Sequence, residues 1–170
     1  MWTEMASPVG RLRIIASGGA ITAIEYDGPA GATVSSVRAV ARASGRPVGD
    51  RADDDDLLRE TRCQLTAYFD RELRDFDLPL APKGTPFQQA VWEQLRGIGY
   101  GATASYGEIA RRLGKSAAAS RAVGVANGSN PIPIVIPCHR VVGSDGSLTG
   151  YAGGLERKQT LLELEQDSLF

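Results

Sequence analysis

Histidine is nearly absent from this chain of 170 residues. His139 stands alone, and cysteine occurs only at Cys63 and Cys138. Two cysteines are too few for a disulfide framework, which makes a reducing cytoplasm the expected setting. One histidine with two cysteines matches no familiar zinc spacing and argues against a structural zinc site. No apolar run approaches the ~20 residues of a membrane span. Met1-Trp2-Thr3-Glu4-Met5 has no basic stretch leading into an apolar core, so no secretory signal is expected. Nor does the chain repeat internally, and its net charge of -1 argues against a generic nucleic-acid binder. The charge is unevenly spread, however. Residues 106–140 hold Arg111, Arg112, Lys115, Arg121 and Arg140 against Glu108 alone. That excess either faces phosphates or forms a solvated helix face.

What is present is punctuated clearly. Arg11–Ala16 and Ile21–Tyr26 read as strands joined by a turn at Ser17-Gly18-Gly19, with Pro8-Val9-Gly10 turning before them, as in a small antiparallel meander. Residues 28–52 are rich in Gly, Ala, Ser and Arg and read as a loop with some helix. Asp53 to Asp56 opens a helix through Phe69, its acids favouring the helix N-terminus rather than a metal, with Leu58, Leu65 and Phe69 on one face. Cys63 lies mid-helix and reads as structural. Pro79, Pro82, Lys83 and Gly84 mark a boundary between domains at 1–80 and 85–170.

Thr85-Pro86 then caps a helix carrying Phe87, Val91 and Leu95. Ser105-Tyr106 opens a short helix closed by Gly114, and another runs from Ala117 or Ala118 to Asn127. Together they outline a helix-turn-helix. The last of these is built almost wholly of small residues around Arg121. Such a helix suits either tight packing or close approach to a minor groove with one long side chain entering the base stack. Pro131-Ile132-Pro133-Ile134-Val135-Ile136-Pro137 is expected to be a rigid, buried, extended arm delivering Cys138. Val141-Val142 and Ser147-Leu148 flank a hairpin turn, and Leu155 to Gln166 is a final helix.

Cys138 next to His139 is the chemical centre of gravity, since a thiolate is the strongest nucleophile available and imidazole the best base near neutrality. Asn130 can hold a turn before the arm, and Glu163 or Glu165 can orient the imidazole.

The run Asn130-Pro131 … Ile136-Pro137-Cys138-His139-Arg140-Val141 … Gly150-Tyr151-Ala152-Gly153-Gly154-Leu155 resembles the methylated-DNA–protein-cysteine methyltransferases, or O6-alkylguanine-DNA alkyltransferases. Thr85-Pro86-Phe87-Gln88, Val91-Trp92, Ser105-Tyr106-Gly107-Glu108-Ile109-Ala110 and Ser120-Arg121-Ala122-Val123-Gly124 extend the match densely over residues 85–165. The resemblance implies an α+β fold, with an N-terminal RNase H-like small antiparallel sheet and helix and a C-terminal winged-helix-like domain. It implies repair by stoichiometric, irreversible transfer of the alkyl group of O6-alkylguanine, and of O4-alkylthymine, in double-stranded DNA to Cys138. No cofactor is implied. The protein would be a monomer in solution, and family members often bind DNA cooperatively.

By the same resemblance His139 is the base acting through a water, Glu165 its orienting acid, and Asn130 the brace of the active-site turn. Tyr106 assists flipping and leaving-group protonation. Arg121 fills the gap left by the flipped base, on a DNA-binding helix with Ser120, Ala122, Val123 and Gly124. Tyr151, Ala152 and Gly153 wall the alkyl pocket. Ala152 stands where some relatives carry a serine able to bond the guanine oxygen. Three other readings are weighed against this one. An alkyltransferase-like binding protein would lack the acceptor cysteine, a cysteine hydrolase needs an oxyanion hole, and a regulator would bind one operator irrespective of lesion.

Overall fold

The structure is a computed structural model and describes residues 1–27 and 49–166; the expected loop at 28–52 therefore lies largely outside the described residues. Strands β1 (Trp2–Met5), β2 (Arg11–Ser17) and β3 (Ala20–Asp27) form an antiparallel sheet in sequential order. Leu12, Ile14 and Ala16 alternate onto its buried face. The register shifts between Ile15 and Ala16, so Ala16 pairs with Ile21 while Ile14 pairs with Ile24. This irregularity lets Ile21 and Ile24, three residues apart, both point into the core.

Helix α1 (Asp56–Phe69) packs on that face through Leu58 and Leu65. The acidic run works as expected at its start. The Asp55 carboxylate accepts from Leu58 N at 3.0 Å, and Asp53 accepts from Thr3 Oγ1 at 2.6 Å. Cys63 corrects the sequence reading: it is exposed and contributes nothing to the core.

Helix α2 (Pro86–Arg96) begins with the capping box of Thr85 and Gln88 and with Pro86 in its first turn. Ser105 caps α3 (Tyr106–Arg112). A 3-10 turn at Ala117–Ala119 leads into α4 (Ser120–Gly128), and α5 (Leu155–Gln166) closes the described chain. Short strands β4 (Ala104–Ser105) and β5 (Val141–Val142) pair in parallel. The expected hairpin after β5 is instead a closed turn, Gly143 N donating to Ser147 O at 2.9 Å. β5 is already committed to β4, which brings the start of α3 beside the segment that carries Cys138.

The core is continuous from the sheet to the helical part, running from Leu12 and Leu58 through Trp92, Leu95 and Ile109 to Ile136 and Leu161. Several bonds tie the two parts together. Ile24 N donates to Pro131 O at 2.9 Å, and Arg157 Nε to Val9 O at 2.7 Å. Among the described residues no helix is long and apolar enough to cross a membrane.

Candidate active site

The segment before Cys138 is buried, but it is not the extended arm the three prolines suggest. Ile136 N closes back on Ile132 O at 2.9 Å and Val135 N on Pro133 O at 2.9 Å. Ile134 sits at φ 73°, a region that β-branched residues avoid. Proline removes donors and fixes its own φ, which is as compatible with a knot of turns as with an arm. Asn130 holds this knot: its Nδ2 donates to Ile136 O at 2.8 Å and its Oδ1 accepts from Ile132 N at 3.0 Å. Left-handed strain of this kind costs of order 1–3 kcal/mol and persists only where surroundings fix it. Here the Asn130 bonds and the burial of Ile132, Ile134 and Ile136 do so.

The turn delivers a single 3-10 turn, Cys138–Arg140, all three residues buried. Cys138 is 4% exposed. Burial pushes its thiol up to about 11, against hydrogen bonds from the side chains of Asn130 and Tyr151 and the field of the nearby Lys158 ammonium. Asn127 Nδ2 anchors the Cys138 carbonyl at 3.3 Å.

His139 Nε2 meets Glu165 Oε1 at 2.7 Å. Burial alone would raise the Glu165 carboxyl, but hydrogen bonds from His139 and Arg140 outweigh it and hold the group at about 2. An ionised carboxylate can only accept, so Nε2 carries the imidazole proton and Nδ1 the lone pair. Burial lowers the His139 pKa despite the carboxylate beside it, so the ring is neutral near pH 7. Its Nδ1 is buried and has no partner among the described residues, which leaves a base without a proton beside the thiol segment.

Glu165 is the expected orienting acid. Glu163 is exposed and accepts from Gln159 instead. The counter-charge was not legible as such: Arg140, counted with the basic surface stretch, is buried. It donates from Nε to Oε2 at 3.0 Å and from Nη2 to Oε1 at 2.9 Å of Glu165, while Nη1 donates to Ile98 O at 2.6 Å. Tyr68 of α1 donates to Glu165 Oε1 at 2.7 Å.

Lys158 carries no sequence signal that marks it as part of the site. It is fully buried and donates to Val141 O and Thr149 O, both at 2.6 Å. Burial lowers it to about 8. The Thr149 carbonyl also receives Tyr106 OH at 3.4 Å, so the loop before Tyr151 is held from both sides. Tyr151 OH lies 2.6 Å from Tyr26 OH of β3. Gly153 is buried between these rings, where a Cβ would meet Tyr26 at 2.7 Å and Tyr151 at 2.8 Å. Ala152 is exposed beside them.

Helix α4 divides into two faces. Arg121, Ala122 and Val125 are exposed, Val125 to 70%, on one side, while Val123, Ala126 and Asn127 are buried on the other. Val123 is therefore a correction: it has no exposed surface with which to touch a ligand, whereas Val125, not singled out from the sequence, does. Ser120 lies half-buried at the helix start. Gly124 is half-buried against the Tyr106 ring. Trp92 Nε1 donates to Ala126 O at 2.9 Å and fixes α4 on α2.

The burial contrast between the two thiols has a direct consequence. Brief treatment of the unfolded protein with iodoacetamide modifies both cysteines, whereas the folded protein is modified at Cys63 and at least about tenfold more slowly at Cys138. Peptide mapping reads the two sites separately, and equal rates in the folded protein would contradict the closed site.

The 6-O-methylguanine DNA methyltransferase family matches this chain with both of its parts, the ribonuclease-like domain over residues 1–82 and the DNA binding domain over residues 86–167. The methylated-DNA–protein-cysteine methyltransferase of Haemophilus influenzae is 43% identical over 166 residues, covering 97% of this chain and 86% of that protein. Its counterpart in Methanosarcina acetivorans is 55% identical over 113 residues, 66% of this chain and 72% of that one. Among solved structures, Mycobacterium tuberculosis OGT in complex with DNA superposes with a TM-score of 0.80 at 42% identity, over 98% of this chain and 92% of that one. The O6-methylguanine-DNA methyltransferase of Pyrococcus kodakaraensis gives 0.66 at 28% identity, over 96% and 97%. With both family domains in order along one continuous core, the chain belongs to the methylated-DNA–protein-cysteine methyltransferases.

Proposed function

We propose that this protein repairs DNA by moving the alkyl group of O6-alkylguanine, and of O4-alkylthymine, from duplex DNA to its own Cys138. The observation that carries the assignment is the relay Glu165–His139 behind a buried thiol. Residues 85–170 carry the chemistry and DNA contact, and residues 1–80 form the supporting domain.

In the resting site the thiol keeps its proton. His139 takes that proton at Nδ1 through a bridging water, and Glu165 stabilises the imidazolium across Nε2. Cys138 Sγ then attacks the alkyl carbon. The S–C bond forms, the C–O6 bond breaks, and its electron pair stays with the guanine. Tyr106 assists protonation of the departing base, so that the proton lost by the thiol balances the one gained by guanine. The product thioether has no leaving group as good as the one just expelled, and each molecule acts once. Nothing in these steps needs a cofactor.

The small-residue face of α4 approaches the minor groove, and Arg121 enters the stack as the lesion rotates out between the walls formed by Tyr151, Ala152 and Gly153. Unstacking costs a few kcal/mol. The protein acts as a monomer in the cytoplasm.

These roles predict how Arg121→Ala behaves. It slows transfer from duplex oligonucleotides carrying O6-methylguanine at least about tenfold but leaves transfer from the free O6-methylguanine base unchanged, because only the duplex needs a base displaced. Single-turnover rates on the two substrates test this, and equal losses on both would contradict the flipping role.

A further inference from the structure

Glu165 lies in α5, yet one of its donors comes from α1, 97 residues earlier in the chain. Tyr68, in the last turn of α1, is fully buried and places its hydroxyl 2.7 Å from Oε1, the same oxygen that holds His139 Nε2 at 2.7 Å. We propose that Tyr68 is a positioning residue of the transfer reaction, through which the N-terminal domain sets the basicity of His139. The proposal rests on the reading of Cys138 as the acceptor and His139 as its base.

The geometry makes the hydroxyl more than packing. The Tyr68 ring is held independently by Phe69, Phe76 and Tyr100, at centroid separations of 5.3, 5.4 and 6.2 Å. Its orientation therefore does not depend on the hydroxyl. Nor does that of Glu165: Arg140 grips both carboxylate oxygens, and Gly101 N donates to Oε2 at 3.4 Å. What the hydroxyl adds is a donor on Oε1, drawing negative charge away from the bond to His139. Burial raises the Tyr68 phenol, the Glu165 charge raises it further, and it therefore stays a donor throughout the working range.

Several charged and titratable groups among the described residues face this cluster. Around Glu165 stand His139, Arg140, Tyr68 and Tyr100, with Arg74 stacked on Tyr100 at 5.3 Å and Arg71 donating to Leu164 O at 3.2 Å. Lys158 faces His139 and Cys138 from α5. Of these, Glu165 is the acid whose hydrogen bond steadies a protonated His139. Without the phenol its Oε1 becomes a stronger acceptor, the imidazolium is stabilised, and His139 stays protonated to higher pH. A protonated His139 cannot receive the thiol proton.

The test is the pH dependence of single-turnover methyl transfer from O6-methylguanine duplex DNA, for the parent, Tyr68→Phe and Leu58→Val. Leu58 is buried on the same helix and stands apart from the relay, so its variant reports simple loss of packing. Tyr68→Phe moves the acid limb of the profile upward by about half a pH unit or more and leaves DNA affinity unchanged. Leu58→Val lowers the melting temperature and leaves the limb where it is. A Tyr68→Phe limb that coincides with the parent's, whatever the change in melting temperature, overturns the proposal. Absence of transfer in the parent itself overturns the reading beneath it.

Discussion

Cys138→Ser binds methylated duplex DNA as tightly as the parent protein and accepts no methyl group, its transfer falling at least about a thousandfold, or ~4 kcal/mol in barrier. The substitution keeps a small hydrogen-bonding side chain in a site only 4% exposed, with Asn130 and Tyr151 able to bond an oxygen as they bond the sulfur. The surface of α4 that carries Arg121, Ala122 and Val125 is on another element and stays as it is. What disappears is acidity and nucleophilicity. A neutral His139 can draw a proton from a thiol, but a hydroxyl holds its proton far more tightly. Fluorescence anisotropy with a methylated duplex and transfer of labelled methyl separate the two properties. Substantial residual transfer in Cys138→Ser would mean that another residue is the acceptor.

Arg140→Met has the largest expected effect on stability, a loss of about 3–5 kcal/mol, or roughly 10 °C in melting temperature. Arg140 is 6% exposed and Glu165 2% exposed, and the guanidinium pairs with both carboxylate oxygens, whereas His139 is neutral near pH 7. Removing the guanidinium takes a two-oxygen ion pair away from a buried carboxylate. The pH dependence carries the same signature. Glu165 is depressed from its ordinary 4.5 to about 2 on folding, so its contribution is fully present above pH 4.5 and is lost as the pH falls toward 2. That shift corresponds to about 3 kcal/mol. Urea melts of the parent should show this acid loss, while Arg140→Met starts lower and declines less over the same window. An unchanged midpoint in Arg140→Met would contradict the ion pair's role.

Both effects concern residues whose environment the sequence conveyed very unequally. Helix starts were legible: the acidic run at Asp53 to Asp56, Thr85 before Pro86, and Ser105 all sit where short-range chemistry puts them. So were β2 and β3, because their apolar alternation and the Ser17-Gly18-Gly19 turn are local signals. Cys138, His139, Asn130 and Glu165 were placed together by family pattern, and the fold brings them together. Chain direction through Pro131–Pro137 was not legible. Three prolines restrict donors and φ, but the reversal is closed by Asn130 and by the left-handed Ile134, which no propensity favours.

Charge in the interior was hidden for a different reason. Arg140, Arg157, Lys158 and Glu165 have the composition of a solvated surface. The burial of Arg140, Arg157 and Glu165 follows from partners far along the chain, Ile98, Val9 and Tyr68, and Lys158 is held by the nearer carbonyls of Val141 and Thr149. Tyr68 and Tyr26 fall within an expected helix and an expected strand, with nothing nearby in sequence to mark their hydroxyls. Their hydroxyls matter because the two domains close on each other, one on Glu165 and the other on Tyr151. Val123 and Val125 differ by half a helical turn, and small side chains on every face of α4 left no hydrophobic stripe to tell them apart.

The most direct test of the central claim is intact-mass measurement with peptide mapping after incubation with excess duplex DNA containing O6-methylguanine. The account predicts that each molecule gains one methyl group, that the gain lies on the peptide carrying Cys138, and that the modified protein has no further activity. A methyl group on Cys63, an unmodified protein beside repaired DNA, or continued turnover would contradict it.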